Sequence, residues 1–464
     1  MSITAGLGQN EKNIPLHQFT NIPIHQYTNI QIYKYTIFMS KRRVVITGLG
    51  VATPLGIRVN DVWRRLLGGE SGIKGLDCKG CEKSEVRAAG VIDNEDFHTI
   101  KTSLEDIHEE MAERRTVFGL WAARESLRDA GFSESINSDR AGVVFSAGLG
   151  VNRLEDIANY LDESGRFDRA KFFQELKDLS KDSIMRCNSN LPAALIGKTY
   201  GLKGVNSTIT TACASATQAV GTAYRLIQSG EADLIIAGGA DSMINPVGLV
   251  YFVLLGAAST SDDPPETVCR PFDRRRSGLV MGEGAGAVVL ESEDHARARG
   301  ARIYAELAGY GSSMDAYQVT APEPEGRGAE LSMKRAIEDA RLVPEDIDYI
   351  NAHGTGTKLN DIAETEAIKR VFGEHASKIA ISSSKSMIGH LLAASGGPEF
   401  VFTTLSVYNN RVHPTINLTR RDPKCDLDYV SDGSRNMEVR AALSNSFGFG
   451  GQNGSVVVKK YTEL

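Results

Sequence analysis

Six cysteines in 464 residues are too few and too scattered to staple a fold together with disulfides, and their scarcity points to a reducing compartment, the cytoplasm. Basic charge is not in excess either. Lys and Arg total 52 against 58 Asp and Glu, a net charge of −6, so the chain lacks the electrostatic footprint of a nucleic-acid binder. Long hydrophobic runs are also missing. The longest, Val247 to Ala258, falls well short of the roughly 20 apolar residues that cross a bilayer, which excludes membrane insertion, and it reads as a buried element. What is left is a globular chain, 41% hydrophobic, that can bury a large core in one two-part body or in two domains.

Residues 13–36 repeat an octad three times, Asn13–Thr20, Asn21–Thr28 and Asn29–Thr36. Eight residues are too short a period to build a solenoid, and the stretch lacks the basic start and apolar centre of a signal peptide. Residues 1–38 therefore read as a dispensable or disordered extension, with Met39 as a second possible start immediately ahead of the strand Val44–Thr47. Beyond it, β-branched segments alternate with amphipathic ones, the pattern of an α/β protein with mainly parallel central strands. Two halves echo one another: Val45-Ile46-Thr47-Gly48-Leu49-Gly50 resembles Leu307-Ala308-Gly309-Tyr310-Gly311, and Gly286–Leu290 resembles Gly454–Val458. The echo divides the chain into residues 39–297 and 298–464.

Cys213 stands in Thr211-Ala212-Cys213-Ala214-Ser215-Ala216, where a β-branched stretch runs into an alanine-rich helical one. A cysteine there faces the unpaired N–H groups and positive end of a helix, which favour a thiolate and any oxyanion formed beside it. A small core cysteine is the plainer alternative. Two histidines weigh against that alternative: His353 in Asn351-Ala352-His353-Gly354-Thr355-Gly356-Thr357 and His390 at the end of Lys385-Ser386-Met387-Ile388-Gly389-His390. Both follow strand-like segments, where open α/β sheets place their sites; the second opens an Ala/Leu helix. Cys78-Lys79-Gly80-Cys81 has the spacing of half a zinc site or of a redox pair, but no second pair or nearby histidine completes it. No metal site is expected. Gly282, Gly284 and Gly286 read as close strand packing, since no strand-to-helix context supports a phosphate loop.

Together with Asn445-Ser446-Phe447-Gly448-Phe449-Gly450-Gly451, these motifs resemble the β-ketoacyl-acyl carrier protein synthases, and most closely their elongating type II members, from about Met39 to Lys460. The resemblance implies an α/β, thiolase-like fold of duplicated halves in αβαβα layers, and a homodimer. It also implies acyl carrier protein as partner in its acyl and malonyl forms. No bound cofactor is implied; phosphopantetheine arrives on the carrier. Cys213 would accept the acyl group, with the backbone N–H groups of Cys213 and Phe449 as oxyanion hole. His353 and His390 would steady the carbonyl of malonyl thioester as CO₂ leaves, and two histidines rather than one His and one Asn mark the elongating group.

The resemblance extends to further positions. Lys385 would pair with Glu364, which stands near Asp361, and so orient the histidines; a surface ion pair is the alternative. Glu399 matches a further family acid, structural or near a monovalent cation. Phe449, flanked by Gly448, Gly450 and Gly451, would gate the thiol, unless it is a core residue in a tight turn. Leu149 and Phe252 would line the acyl pocket. Departures from the family pattern are Gly256, where an arginine thought to touch the carrier tends to stand, the bulky Val250–Leu255, and Arg114-Arg115-Thr116, which lacks the expected Met-Asp. They leave open a specialised lipid or polyketide pathway. A hydrolase using a Cys/His pair and a non-catalytic chain-length partner are competing readings, the latter opposed by the presence of Cys213.

Overall fold

Among the described residues, ten strands form one sheet. The first half supplies β1 (Val44–Ala52), β2 (Ala141–Ala147), β3 (Asn206–Ile209), β4 (Leu234–Asp241) and β5 (Gly284–Ser292). The second supplies β6 (Ala305–Met314), β7 (Tyr349–Asn351), β8 (Ala380–Ser382), β9 (Ala441–Gly448) and β10 (Gln452–Lys459). This computed structural model describes residues 41–104, 113–133, 135–150, 158–175 and 187–463, so the octads and the extension reading of residues 1–38 lie outside the described residues.

Across the sheet the order is β8-β7-β9-β10-β6-β1-β5-β4-β2-β3, and the halves meet at an antiparallel β1/β6 seam. Moving outward from the seam, each half pairs antiparallel twice and then parallel twice. The duplication is thus complete at the level of topology. The expectation of mainly parallel central strands is corrected: the four strands nearest the seam are antiparallel. In the second half the reason is the short Gly448–Gly451 turn, which makes β9 and β10 a hairpin; a parallel pair needs a crossover of a dozen or more residues.

Helices α1 (Arg114–Asp129) and α2 (Leu191–Tyr200) cover the outer face of the first half. Helices α3 (Ser215–Gln228), α4 (Pro246–Leu254), α5 (Arg327–Asp339), α6 (Lys358–Phe372), α7 (Lys385–Ile388) and α8 (Gly396–Asn409) follow. Of these, α5 and α6 cover the second half, whereas α3 and α8 touch each other and strands of both halves. The result is the five-layered αβαβα arrangement of a thiolase-like fold. Its middle layer shares one core with both halves of the sheet, joining Val44 and Val288 to Ala219, Phe400, Tyr349 and Val456.

The sequence echo has a packing cause. A Cβ on Gly48 would lie 2.0 Å from the Ser126 carbonyl oxygen of α1, and one on Gly309 would lie 2.2 Å from that of Ala336 on α5. In each half the glycine lets the outer helix rest on the strand backbone. The glycines at 282, 284 and 286 are likewise pressed against neighbouring backbone.

Two further expectations are corrected. The run Val247–Ala258 is not a buried element: α4 buries Gly248 and Leu249 but leaves Val250, Tyr251, Leu254 and the following Leu255 about half exposed or more. An apolar run fixes neither burial nor partner. Cys78 and Cys81, left without a role by the sequence, are joined as a disulfide. No helix among the described residues is long and apolar enough to cross a membrane.

Candidate active site

Cys213 and His353 follow the strands β3 and β7, His390 follows the short helix α7, and the three converge. The sulfur and one nitrogen of each ring lie within 4.8 Å of one another, and all three residues are buried. They line the inner end of a cavity of about 430 Å³ whose outer end is formed by Leu255, Val319, Lys358 and Leu359, all exposed.

Cys213 owes its position to a kink between β3 and α3. Ala212 has a φ of 48°, a left-handed conformation that costs a residue with a side chain about 1–3 kcal/mol. Ser215 holds the kink: its Oγ accepts from the Thr211 N–H at 2.7 Å and donates to the Ala212 carbonyl at 2.6 Å. The thiol therefore stands just ahead of the helix, as the alternation of strand and helix implied. Its resting charge is a different matter. Burial pushes the Cys213 thiol up to about 11, against the pull of Lys385 and the Phe449 N–H, so the thiolate expected from the helix end is not the resting form. Alkylation by iodoacetamide is accordingly expected to accelerate about tenfold per pH unit from pH 7 to 10, because only the thiolate reacts. A rate already flat above pH 8, measured by mass spectrometry of the Cys213 peptide, would show a thiolate stabilised at rest.

His390 lies in an extended segment between α7 and a short turn at Leu392–Ala394, rather than opening a helix. The Leu392 N–H donates to its Nδ1 at 3.0 Å, and Ser395 Oγ lies 2.8 Å from the same nitrogen. An imidazole that accepts at Nδ1 carries its proton on Nε2. Asp241 and Ser146 brace this turn, Asp241 by accepting from the Ala393 N–H and Ser146 by donating to the Ala393 carbonyl.

His353 follows β7, and Glu364 of α6 grips its backbone: the two carboxylate oxygens accept from the N–H groups of His353 and Gly354 at 2.9 and 2.8 Å. Asp361, one turn earlier, accepts from the N–H groups of Thr355 and Gly356 and lies 3.6 Å from buried Arg276. The expected Lys385–Glu364 pair is therefore corrected. Both oxygens of Glu364 are engaged by backbone, and the Lys385 ammonium pairs with Glu399 at 2.5 Å, deep in the protein rather than at its surface. The same ammonium donates to the His353 carbonyl at 2.7 Å and lies 3.4 Å from its Nδ1, so this ring too keeps its proton on Nε2.

Burial, reinforced by Lys385, holds both histidines well below their usual pKa, and they are neutral donors at pH 7. Burial also drives the carboxyls of Glu364 and Glu399 up to about 7. A thiol and two imidazoles are a donor set that zinc accepts. Here, however, both lone pairs available without a tautomer change are at Nδ1, which Leu392 and Lys385 occupy. Two Nε2–H groups beside a thiol are better suited to steadying a developing oxyanion than to ligating a cation.

Phe449, half-buried in the Gly448–Gly451 turn, lines the cavity and turns its N–H towards the Cys213 sulfur. Gly450 and Gly451 have φ of 86° and 76°, which glycine alone adopts freely. Phe252 packs in the same apolar cluster as Phe449. Leu149 is not brought to the cavity; it is 62% exposed. Sequence reasoning passed over Phe447, whose ring meets His353 edge-on at 5.8 Å, and Ser395, although the first lies inside a recognised motif and the second five residues after His390.

Comparison with known proteins agrees with this geometry. Residues 41–296 match the β-ketoacyl synthase N-terminal domain and residues 304–419 the β-ketoacyl synthase C-terminal domain. Among curated relatives, 3-oxoacyl-[acyl-carrier-protein] synthase 2 of Synechocystis sp. is 41% identical over 91% of this chain and 99% of its own length, and that of Coxiella burnetii is 40% identical over the same shares. Among solved structures, a type II polyketide ketosynthase in complex with its acyl carrier protein and bound to a hexaketide superposes with a TM-score of 0.81 at 33% identity, covering 91% of this chain and 100% of that one. A β-ketoacyl synthase from Burkholderia phymatum gives 0.77 at 33% identity with the same coverage.

Proposed function

This chain belongs to the β-ketoacyl synthase family, and from that premise we propose how its residues carry out the family's reaction. The chain is an acyltransferase: it condenses an acyl group with malonyl-acyl carrier protein, with loss of CO₂, to give 3-oxoacyl-acyl carrier protein in the elongation of fatty acids. The observation that carries the assignment of roles is the 4.8 Å cluster of Cys213, His353 and His390 at the end of an open cavity.

In the first half-reaction the Cys213 sulfur attacks the acyl thioester. The new oxyanion is received by the N–H groups of Cys213 and Phe449, each such donor contributing about 3 kcal/mol of barrier lowering. The tetrahedral intermediate collapses with departure of the carrier's phosphopantetheine sulfur, which takes up the proton that the Cys213 thiol gives up. Phe449 swings aside on its glycines to admit the acyl chain. In the second half-reaction the Nε2–H groups of His353 and His390 hold the malonyl thioester oxygen as the C–CO₂ bond breaks. The resulting enolate carbon attacks the acyl carbon on Cys213, and the thiol is regenerated by a proton from solvent. Neutral histidines suit this task, because a neutral imidazole N–H strengthens its hydrogen bond to a developing enolate without handing over the proton, which would quench the carbanion. Lys385, Glu399, Glu364 and Asp361 act through the histidines, by fixing their backbone and tautomer.

Three buried oxygens without a hydrogen-bond partner among the described residues, Asn351 Oδ1, Glu399 Oε2 and Ser444 Oγ, lie on neighbouring elements, with Asn351 and Ser444 facing each other in register and Asn351 Nδ2 donating to the Glu399 carbonyl. Such a set fits a monovalent cation, which would neutralise the second Glu399 oxygen and stiffen the Lys385 pair. A homodimer is part of the same reading. Strand β3 ends the sheet with half-exposed residues, and Leu149 can close an acyl tunnel only if a second copy covers it. Four of the six cysteines are free, which favours a reducing compartment, the cytoplasm, and there the Cys78–Cys81 disulfide would be an exchangeable local link rather than a structural staple. The test is intact-mass analysis after incubation with acyl carrier proteins bearing chains of different length. An acyl adduct confined to Cys213 is expected; an adduct elsewhere, or none, would refute these roles.

A further inference from the structure

Among the described residues that line the cavity, Lys358 alone carries a permanent positive charge. His353 and His390, at the inner end, are held neutral by burial. The one carboxylate among the described lining residues, Asp315, is already engaged, accepting from the Glu323 N–H at 3.0 Å and from Asn453 Nδ2 at 2.7 Å. Lys358 stands at the exposed end, and its ammonium has no hydrogen bond or ion pair among the described residues. Its backbone, by contrast, is anchored. Buried Arg276 donates to the carbonyls of both Thr357 and Lys358, at 3.0 and 3.1 Å, and is itself tied to Asp422 at 2.7 Å.

The cavity thus has a sulfur nucleophile at its inner end, the hydroxyl-bearing Thr355 and Thr357 on its wall, and an unengaged cation at its mouth. A phosphopantetheine arm has the complementary order: thioester, two amides and a hydroxyl, then a phosphodiester. Resting on the reading that such an arm enters here, we infer that Lys358 binds the phosphodiester of the arm and sets the depth to which the thioester reaches Cys213. The subsite is one of this chain's own residues. Gly256, lining the same mouth, supplies no charge.

Small donors separate this inference from contact with the carrier's surface. Acylation of Cys213 is measured by intact mass with two thioesters of the same acyl group, one on 4′-phosphopantetheine and one on pantetheine, which lacks the phosphate. Lys358→Gln is expected to raise the KM for the phosphorylated donor about tenfold, the size of one charge-assisted hydrogen bond at a hydrated site, with kcat unchanged. The pantetheine donor should be unaffected by the substitution, and Lys358→Arg should restore the phosphorylated one. An equal shift for both donors, or a shift seen only with carrier-bound substrate, would overturn the inference. If the wild-type protein takes an acyl group from no donor at all, the functional reading itself fails, and this inference with it.

Discussion

Cys213→Gln is expected to abolish condensation while malonyl-acyl carrier protein is decarboxylated at the wild-type rate or faster. The substitution removes the atom that carries the acyl chain. It leaves the decarboxylating groups in place, because none of the contacts that fix them runs through the sulfur: His353 is held by Glu364 and Lys385, and His390 by Leu392 and Ser395. The glutamine amide can occupy the space of the acyl thioester beside the Phe449 N–H, which turns the empty acyl site into one that resembles the acyl-enzyme. Release of ¹⁴CO₂ from labelled malonyl substrate, followed alongside 3-oxoacyl product, reads both outcomes. Condensation that survives the substitution would require another nucleophile. Decarboxylation lost along with condensation would mean that the sulfur takes part in both half-reactions.

The complementary result is expected for His353→Ala and His390→Ala. Each removes one neutral Nε2–H donor from the developing enolate, a loss of about two to four powers of ten in decarboxylation. Transfer of the acyl group to Cys213 should fall much less, since the oxyanion of that step rests on backbone N–H groups. The split between the two half-reactions is the informative quantity. A histidine variant that decarboxylates like the wild type would leave that histidine without the role given to it here, and one that blocks acylation equally would place it in the first half-reaction.

Much of this site could be read in the sequence because its reactive groups sit on motifs with strong local character: a cysteine between a β-branched and an alanine-rich stretch, a histidine just after a strand, and a second in a Gly-His motif. The glycine echo was also legible, and its cause is steric, since Gly48 and Gly309 each lie under a carbonyl of the covering helix. The partner of Lys385 was not legible. Glu364 and Glu399 are both buried acids near the histidines, and only the fold reveals that backbone N–H groups saturate the first and leave the second for the ammonium. Strand direction escaped for a related reason: β-branched periodicity marks a strand but is the same for parallel and antiparallel neighbours. The thiol's resting state escaped because a helix end is visible in sequence whereas burial of the sulfur is not, and burial outweighs the charges around it. The exposed face of α4 shows the same limit, an apolar run that the chain's own core leaves half exposed or more.

The central claim is that one cysteine and two neutral histidines couple decarboxylation to carbon–carbon bond formation. Its most direct test is the stoichiometry of a single turnover. Enzyme carrying one acyl group on Cys213 is mixed with malonyl-acyl carrier protein, and CO₂, 3-oxoacyl-acyl carrier protein and free acid are quantified together. One CO₂ and one 3-oxoacyl product per acyl-enzyme, with no free acid, is the predicted result. Free acid in place of the 3-oxoacyl product would mean that water rather than the enolate takes the acyl group from Cys213, and would contradict the account.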